Sequence, residues 1–543
     1  MESLENPLES SLRFPFSGYL LPNRLVKVAM AECLTVFGGG PPTEGHHRIY
    51  RSWARGGWGM IISGNVQIDP DWLATPWDLA VPRSLDPTSS SLAPWISFVD
   101  SISQAASDDD DVDDPDCPSA GPLVIQLSHP GRQSPLFARR KPLSSPLAPS
   151  PIPISSEGLI NSILNTLLFR TPRNDVSDEE IDDVLRRFGQ TARFLEEAGV
   201  KGVEIHAAHG YLLAQFLSPL SNKRPPSSIF SLQPGLGPDD GDDHVSGNGG
   251  GGLEVLRRVL RYVRENTKRE FIVGIKMNCG DFVDGGLGED EAIEQVIDVR
   301  QMLVRVCREG KEESKEGWDF VELSGGNYTN PVFASSSGPN IPFQSFSTRL
   351  LKIQPSPSLP PLLLSSSLRS VPSLLSALHP APSPSAHLLG FARPSVAYPS
   401  LPKSHLLRKR KEIREFEMPN LDHVYRWSDL FTLSFLTGRL SQRNHAINIS
   451  TDIDSTSDER TPEVKTKTRK KDSSGLIGAG LGTVWWTFQI NRLVNDRPFK
   501  PDLGIWEGVL YQFGPSVASI RPSWSRWAFI GLVGFLAWWL GLT

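Results

Sequence analysis

The chain has little cysteine and no excess of positive charge. Its 543 residues include 4 cysteines, none in a CxxC pair, which argues against a zinc ribbon, an iron–sulfur cluster and a secreted disulfide framework. The formal net charge is −6, so no basic field points to nucleic acid as a partner. The N-terminus lacks an apolar run and is expected to be neither a signal peptide nor a transit peptide. These features favour a reducing compartment.

Changes in composition divide the chain into a predicted catalytic domain and a C-terminal extension. We expect a domain over residues 1–407, a charged linker over 408–474 and a helical segment over 475–543. Two stretches inside the domain, 105–120 and 225–252, are acidic or rich in Gly, Pro and Ser. Such compositions are typical of surface loops, so both are predicted to be inserted loops.

Eight short apolar runs have the composition of buried β-strands. The runs between them show helical spacing, best seen at 177–199, where Ser177 and Glu180 fit a capping box and Gly199 is placed to end the helix. Further helices are predicted from Leu253 and near Asp290. Alternating strands and helices imply parallel pairing, so the predicted fold is a (β/α)8 TIM barrel of the α/β class. The eight predicted strands are 25–30, 59–63, 122–127, 201–205, 271–276, 319–323, 361–364 and 387–391.

The end of the fourth strand carries the most informative side chains. His206 and His209 follow it directly, and Tyr211 comes next. At a barrel mouth, two imidazoles and a phenol can hold a carbonyl oxygen and deliver a proton. The alternatives are that these side chains are structural, or that the two histidines bind a metal. No third ligand stands at a helpful spacing for a metal.

Three other strands end in polar residues. Gln126 ends the third strand, Lys276 ends the fifth, and Arg393 follows the eighth. An amide can pair with the edge of a heterocycle, a lysine can neutralise an anionic ring, and an arginine can clamp a phosphate. Together they favour a site for a phosphorylated, redox-active ring.

The chain resembles the old yellow enzyme family of FMN-dependent NAD(P)H oxidoreductases over about residues 12 to 407. The most specific match is GVEIHAAHGYLLAQFLSPLSNKR at 202–224. The remaining matches follow in family order: LLPNRLVKVAMAE at 20–32, GGWGMIISGNVQID at 56–69, VIQLSHPGR at 124–132, VGIKMN at 273–278, DFVELSGG at 319–326 and GFARP at 390–394.

The resemblance implies a flavin-dependent reduction of an activated alkene. NAD(P)H would reduce FMN, and reduced FMN would reduce the C=C bond of an α,β-unsaturated carbonyl or nitro compound. His206 and His209 would hold the electron-withdrawing group and Tyr211 would supply the proton. Lys276 would stabilise the reduced flavin and Gln126 would bind its pyrimidine edge. The implied cofactor contacts are completed by Ala29, Met30, Ala31, Gly64, Ser366, Ser367 and Arg393.

Two departures from the family pattern keep a second hypothesis open. Ala31 stands where the family usually has Thr or Cys beside the flavin, so a hydrogen bond that tunes the flavin is absent. Ser365, Ser366 and Ser367 stand where the family has Thr-Gly-Gly in the phosphate cradle, and glycine is favoured there because the backbone must approach closely. The alternative is a degenerate barrel with weak or no flavin binding that acts as a binding or scaffold protein. A dienoyl reductase with an iron–sulfur cluster is a further alternative, opposed by the scattered cysteines.

Two other features could bear on the site or its location. Cys33 is either a buried inert thiol or a group near the site. The uncharged run 527–542 is either an apolar helix packed on the barrel or a tail anchor, and its terminal position behind a linker favours the anchor. The prediction is therefore a cytoplasmic catalytic domain attached through its C-terminus to an intracellular membrane.

Overall fold

The computed structural model describes most of the predicted catalytic domain and one helix of the extension. The described residues are 6–88, 90–107, 121–136, 138, 144–154, 169–233, 251–308, 313–327, 342–355, 358–365, 370–378, 385–407, 416 and 476–500.

Eight parallel strands close into a barrel. In chain order, β1 (Leu12–Arg13) and β2 (Leu20–Leu21) form a short antiparallel pair, and the barrel begins with the next strand. The barrel order is β3-β13-β12-β11-β8-β7-β6-β4, and β4 also pairs with β3, which closes the ring. All eight predicted strands are therefore present, and the TIM-barrel prediction is confirmed. The barrel strands are β3 (Leu25–Lys27), β4 (Met60–Gln67), β6 (Leu123–Ser128), β7 (Gly202–Ala207), β8 (Ile272–Asn278), β11 (Phe320–Ser324), β12 (Leu362–Leu364) and β13 (Leu388–Phe391).

Three further strands lie outside the ring. β5 (Leu79–Ala80) pairs in parallel with the carboxyl end of β4, while β9 (Val304–Val306) and β10 (Ser314–Glu316) pair with each other.

Helices surround the described barrel and begin where the sequence signals place them. The Ser177 hydroxyl accepts a hydrogen bond from the Glu180 N–H at 3.1 Å, and Gly199 ends the same helix with φ +91°. The capping box is only half formed, because the Glu180 carboxylate pairs with Arg173 instead. The helices are α1 (Glu44–Ala54), α2 (Ala93–Ser107), α3 (Asp178–Glu197), α4 (Leu212–Leu217), α5 (Glu254–Asn266), α6 (Glu289–Gln301), α7 (Pro342–Ile353), α8 (Val371–Leu378), α9 (Arg393–Ala397) and α10 (Leu476–Val494).

Part of the second predicted loop, 225–252, packs against the barrel. Phe230 is fully buried, and the Asp178 carboxylate accepts a hydrogen bond from the Ile229 N–H at 3.0 Å. Residues 225–233 therefore lie against the barrel, and only 234–250 fall outside the described residues. Residues 225–233 form no helix or strand, and burial of the Phe230 ring holds this part of the predicted loop in place. In the first predicted loop, α2 runs on to Ser107 and residues 108–120 are outside the described part.

The C-terminal helix α10 packs against the barrel through a pair of tryptophans. Trp485 is fully buried, and its ring centroid lies 4.9 Å from that of Trp486. The helix contacts α1 and α9, and the Arg48 guanidinium donates to the Val494 carbonyl at 3.2 Å. The candidate anchor 527–542 lies outside the described residues. None of the helices described here is long and apolar enough to cross a membrane.

Candidate active site

The inside of the barrel changes from apolar to polar along the strands. Side chains at alternate strand positions face the interior, and those at the amino ends form a buried apolar layer. Two or four residues further along the strands, the side chains that face the interior are polar: Gln126, Glu204, Lys276 and Glu322. The polar layer therefore lies toward the carboxyl ends of the strands, where barrel enzymes carry their chemistry. The apolar layer includes Val26, Met60, Ile62, Val124, Ile272, Phe320, Leu363 and Leu388.

Strand register brings the predicted site residues together. Gln126 is paired with Glu204 across β6 and β7. His206 is paired with Lys276 across β7 and β8, and Lys276 with Glu322 across β8 and β11. Because paired residues of neighbouring strands lie side by side, three predicted site residues become one cluster.

His206, His209 and Tyr211 form an aromatic group at the end of β7. The His206 ring centroid lies 5.0 Å from that of His209 and 4.7 Å from that of Tyr211. His209 takes a left-handed conformation with φ +58°, which turns the chain back over the strand end. The sequence prediction that these three side chains act together is consistent with this geometry.

Neighbouring polar groups orient these rings. Nδ1 of His206 accepts a hydrogen bond from the Ala208 N–H at 3.3 Å, which leaves the ring proton of the neutral imidazole on Nε2. His209 Nε2 lies 2.7 Å from the Ser324 hydroxyl. The Tyr211 hydroxyl accepts from the Asn65 amide at 3.3 Å. Asn65 follows a register shift in β4, and such a bulge re-aims the side chain after it.

Both histidines are neutral near pH 7. Burial lowers the pKa of His206 well below its ordinary value, and the nearby Lys276 ammonium lowers it further. Burial, His206 and Lys276 lower the pKa of His209 in the same direction. Neutral imidazoles can donate hydrogen bonds to a substrate oxygen without adding charge to the site.

Gln126 and Lys276 are each held by a buried glutamate. The Gln126 amide donates to Glu204 Oε1 at 2.6 Å, and Lys276 Nζ lies 2.8 Å from Glu322 Oε1. Both glutamates are fully buried. The sequence analysis did not identify these two glutamates. Each could have been found, because each is a charged residue at an inward-facing position of an apolar strand.

The loop after β3 is fixed by Glu32, another residue that sequence reasoning missed. Ala29, Met30 and Ala31 are half-buried on this loop. The Glu32 carboxylate accepts hydrogen bonds from the Gly64 N–H at 2.9 Å and from the Tyr50 hydroxyl. It also lies 3.8 Å from Lys27 Nζ.

Gly64 has no room for a side chain. A Cβ there would lie 2.5 Å from the Met30 carbonyl oxygen and 2.1 Å from Glu32 Oε2, closer than such atoms can approach. The loop after β3 and the carboxyl half of β4 therefore meet backbone to backbone at the barrel mouth. A side chain at Gly64 would therefore push the loop after β3 away from β4.

Cys33 is not a reactive group. Its Sγ lies 3.6 Å from the Thr75 hydroxyl, and burial raises the pKa of its thiol to about 12. The thiol is therefore protonated at neutral pH, which supports the hypothesis of an inert cysteine.

The predicted phosphate contacts are only partly described. Arg393 begins α9, directly after β13, and is half-buried. Ser366 and Ser367 lie outside the described residues. Ser365 is described, and its hydroxyl donates to the Leu323 carbonyl at 3.0 Å.

The described donors fit a flavin ring. Gln126 offers an amide for a pyrimidine edge, and Lys276 offers an ammonium for the part of a ring that gains negative charge. Gly64 and the loop after β3, which are in close contact, lie together at the carboxyl ends of the strands. The His206, His209 and Tyr211 group lies at the end of β7, next to Lys276, as a separate place for a substrate.

Known proteins with similar sequences are flavin oxidoreductases. Residues 14–227 match the family model described as NADH:flavin oxidoreductase / NADH oxidase family. An NADH-dependent flavin oxidoreductase of Hypocrea jecorina is 31% identical over 415 residues, which cover 74% of this chain and 89% of that protein. A protein of the same description from Neonectria sp. is 32% identical over 405 residues, which cover 72% of this chain but 46% of the relative's length.

Solved structures share the fold. Morphinone reductase aligns with TM-score 0.51 and 19% identity over 77% of this chain and 93% of its own. A 2-naphthoyl-CoA reductase complex aligns with TM-score 0.54 and 18% identity over 73% of this chain and 52% of its own. At these identities the likeness shows the barrel alone. The sequence relatives carry the assignment further: the chain belongs to the NADH:flavin oxidoreductase family, the old yellow enzyme family of FMN-dependent oxidoreductases that use NAD(P)H.

Proposed function

We propose that this oxidoreductase reduces the C=C bond of an alkene conjugated to a carbonyl or nitro group. The observation that carries the proposal is the group of His206, His209 and Tyr211, in which the His206 ring centroid lies 5.0 Å from that of His209 and 4.7 Å from that of Tyr211. This group lies one strand pair away from Lys276 and Gln126. Hydrogen-bond donors for an oxygen and a proton source thus stand beside the residues that fit a flavin.

The imidazoles hold the electron-withdrawing group of the substrate. His206 presents Nε2–H because its Nδ1 is occupied by the Ala208 N–H, and His209 is fixed by Ser324 and by its own N–H to Asn278 Oδ1 at 3.1 Å. When the Ser324 hydroxyl donates to His209 Nε2, the ring proton of His209 is on Nδ1. Both imidazoles then offer an N–H to the substrate oxygen and stabilise the negative charge that develops on it.

Tyr211 delivers the proton. The Asn65 amide donates to the Tyr211 hydroxyl oxygen at 3.3 Å, and that hydrogen bond stabilises the phenolate left behind when the proton is transferred. The proton goes from Tyr211 Oη to the α-carbon of the alkene.

The flavin site uses residues on three strands, the loop after β3 and the start of α9, together with Ser366 and Ser367. Gln126 binds the pyrimidine edge, Lys276 balances negative charge on the ring, Ala29 to Ala31 and Gly64 line its face, and Arg393, Ser366 and Ser367 bind the phosphate. When bound, FMN supplies the hydride chemistry between NAD(P)H and the β-carbon of the alkene. Since the relatives from Neonectria and Hypocrea are described as NADH-dependent, we propose NADH as the reductant.

A Tyr211→Phe substitution tests the proton donor. We expect the alkene half-reaction to slow by roughly 10²–10⁴-fold, the typical contribution of a general acid, while reduction of the enzyme by NADH stays nearly intact. Both half-reactions are measured separately by anaerobic stopped-flow absorbance with 2-cyclohexenone as the alkene.

Tyr262→Phe is the matched control, because that tyrosine lies on α5 outside the barrel and bonds Asp182 at 2.8 Å. It is expected to leave both half-reactions unchanged. Equal loss of the two half-reactions in Tyr211→Phe would contradict the proton-donor role.

A further inference from the structure

Four polar side chains form a connected chain inside the barrel. The Gln126 amide donates to Glu204 Oε1 at 2.6 Å, and Lys276 Nζ lies 2.8 Å from Glu322 Oε1. Glu204 and Glu322 are also within hydrogen-bonding reach of each other. Neither glutamate is exposed to solvent.

One buried carboxylate oxygen of the pair has no partner of its own. Glu204 Oε2 accepts no hydrogen bond from a described side chain or backbone group, whereas Glu322 is hydrogen-bonded to Lys276 and Ser365 as well as to Glu204. Two ionised carboxylates in contact would repel each other and leave buried oxygens unsatisfied. A single proton between them would turn the same contact into a hydrogen bond.

The charges around the pair also require that proton. The described charged groups that act on the pair are Lys276 and, on the outer side of β3, Lys27. Lys27 is balanced by Glu32 at 3.8 Å, and His206 and His209 are neutral. Three buried carboxyl groups thus face two ammonium groups. A buried carboxylate without a partner is strongly unfavourable, so one of the three is expected to be protonated.

The contacts identify Glu204 as the protonated member. Burial raises the pKa of Glu204 well above its ordinary value, and the charge of Glu322 raises it further. Burial acts on Glu322 in the same direction, but the charge of Lys276 and the hydrogen bonds of Glu204, Lys276 and Ser365 outweigh it, so the pKa of Glu322 is lowered.

We propose that Glu204 and Glu322 share one proton, carried by Glu204, and that the ionised Glu322 is a positioning residue that balances the charge of Lys276. The inference rests on the proposed function, which places the flavin beside Gln126 and Lys276. A flavin gains negative charge when it is reduced, and a free ammonium would stabilise that charge. Glu322 offsets the ammonium and therefore keeps the flavin a stronger reductant.

Two matched Glu→Gln substitutions test which glutamate is charged, because only loss of a charged side chain should change the midpoint potential of the flavin. Glu322→Gln removes a negative charge beside Lys276. The affinity for reduced FMN should therefore rise at least tenfold relative to the affinity for oxidised FMN. This ratio corresponds to a rise of about 30 mV in the two-electron midpoint potential of the bound FMN. Glu204→Gln replaces a neutral acid by a neutral amide of the same shape. It should change the affinity ratio by less than about twofold, because no charge is lost. The potentials are measured by anaerobic dye-linked titration of the full chain at pH 7.5.

The infrared spectrum of the flavin-free protein is a second readout that does not depend on the bound cofactor. The C=O stretch of a protonated carboxylic acid absorbs at an infrared frequency distinct from those of carboxylates and amides. We expect its C=O band in the wild type at pH 7.5 and its loss in Glu204→Gln. Absence of the band in the wild type would overturn the shared proton.

The potentials have outcomes that distinguish this inference from the proposed function. Equal rises in the two variants would show two ionised carboxylates, and no rise in either would show that Glu322 does not act on the flavin. Either result would overturn the inference while leaving a working alkene reductase in place. A chain that takes up no FMN would overturn the proposed function and the inference with it.

Discussion

The carboxylate of Glu32 accepts a hydrogen bond from the backbone N–H of Gly64 at 2.9 Å. This contact joins the loop after the first barrel strand to the carboxyl half of the second. The same carboxylate receives the Tyr50 hydroxyl and balances Lys27, so a network behind the barrel wall sets the surface on which we place the flavin.

Gly64→Ala should disturb this surface. The new methyl group would lie 2.1 Å from Glu32 Oε2 and 2.5 Å from the Met30 carbonyl oxygen, so the loop or the strand must shift. We expect a loss of about 1–3 kcal/mol in the free energy of unfolding, typical of overpacking, and weaker FMN binding. Urea unfolding and quenching of FMN fluorescence measure the two effects.

Gly40→Ala is the control for that substitution, because nothing lies within 4 Å of a Cβ at Gly40. Wild-type FMN affinity in Gly64→Ala would show that the loop after β3 does not contact the flavin.

Removing Lys276 should leave the buried carboxylate of Glu322 without its ion-pair partner. Their 2.8 Å pair is buried, and loss of one partner of a buried ion pair costs about 3–5 kcal/mol. We therefore expect Lys276→Met to lower the free energy of unfolding by that amount and Lys276→Met/Glu322→Gln to recover most of it. A double-mutant cycle by urea unfolding measures the coupling. Additive losses would contradict the pairing.

Buried neutral histidines should make the fold sensitive to mild acid. Burial lowers the pKa of His46 to about 3 and that of His387 to about 4, while both titrate near 6.5 in the unfolded chain. As the pH falls below 6.5 the unfolded chain binds protons that the folded chain does not, so stability is lost. Each such histidine should cost about 1.4 kcal/mol between pH 7.5 and 5.5.

His46→Gln tests this linkage at one site. The variant should lose less stability than the wild type when the pH is lowered over that range, as measured by urea unfolding at both pH values. An unchanged loss would show that His46 binds a proton in the folded state.

The C-terminal helix should stabilise the barrel. Trp485 is fully buried, and the Thr487 hydroxyl on the same helix hydrogen-bonds Cys33 on the loop after β3. Trp485→Ala should lower the free energy of unfolding by about 3–5 kcal/mol. Phe37→Ala, at a side chain that is 71% exposed, should have little effect. Equal stability of the two variants in thermal unfolding would contradict the docking of this helix.

The barrel was predictable because its signals are local. Each strand is a short apolar run between helices, and the helix from Asp178 to Glu197 shows both its cap and its stop in the sequence. The aromatic group of His206, His209 and Tyr211 was predictable for the same reason, since all three lie within one stretch of chain.

The buried glutamates were harder to predict because their roles depend on strand register. Glu204 and Glu322 meet only because β7, β8 and β11 are neighbours in the ring. Glu32 reaches Gly64 across 32 positions of the chain. Their partners are set by closure of the barrel, which no local pattern shows, although a charged residue inside an apolar strand marks the position.

The absorption spectrum of the purified full chain, before and after anaerobic NADH, tests the central claim most directly. We predict a flavin band that bleaches with NADH and returns when 2-cyclohexenone is added. A protein that stays colourless with added FMN, or a band that bleaches but does not return with any conjugated alkene or nitroalkene, would contradict the account.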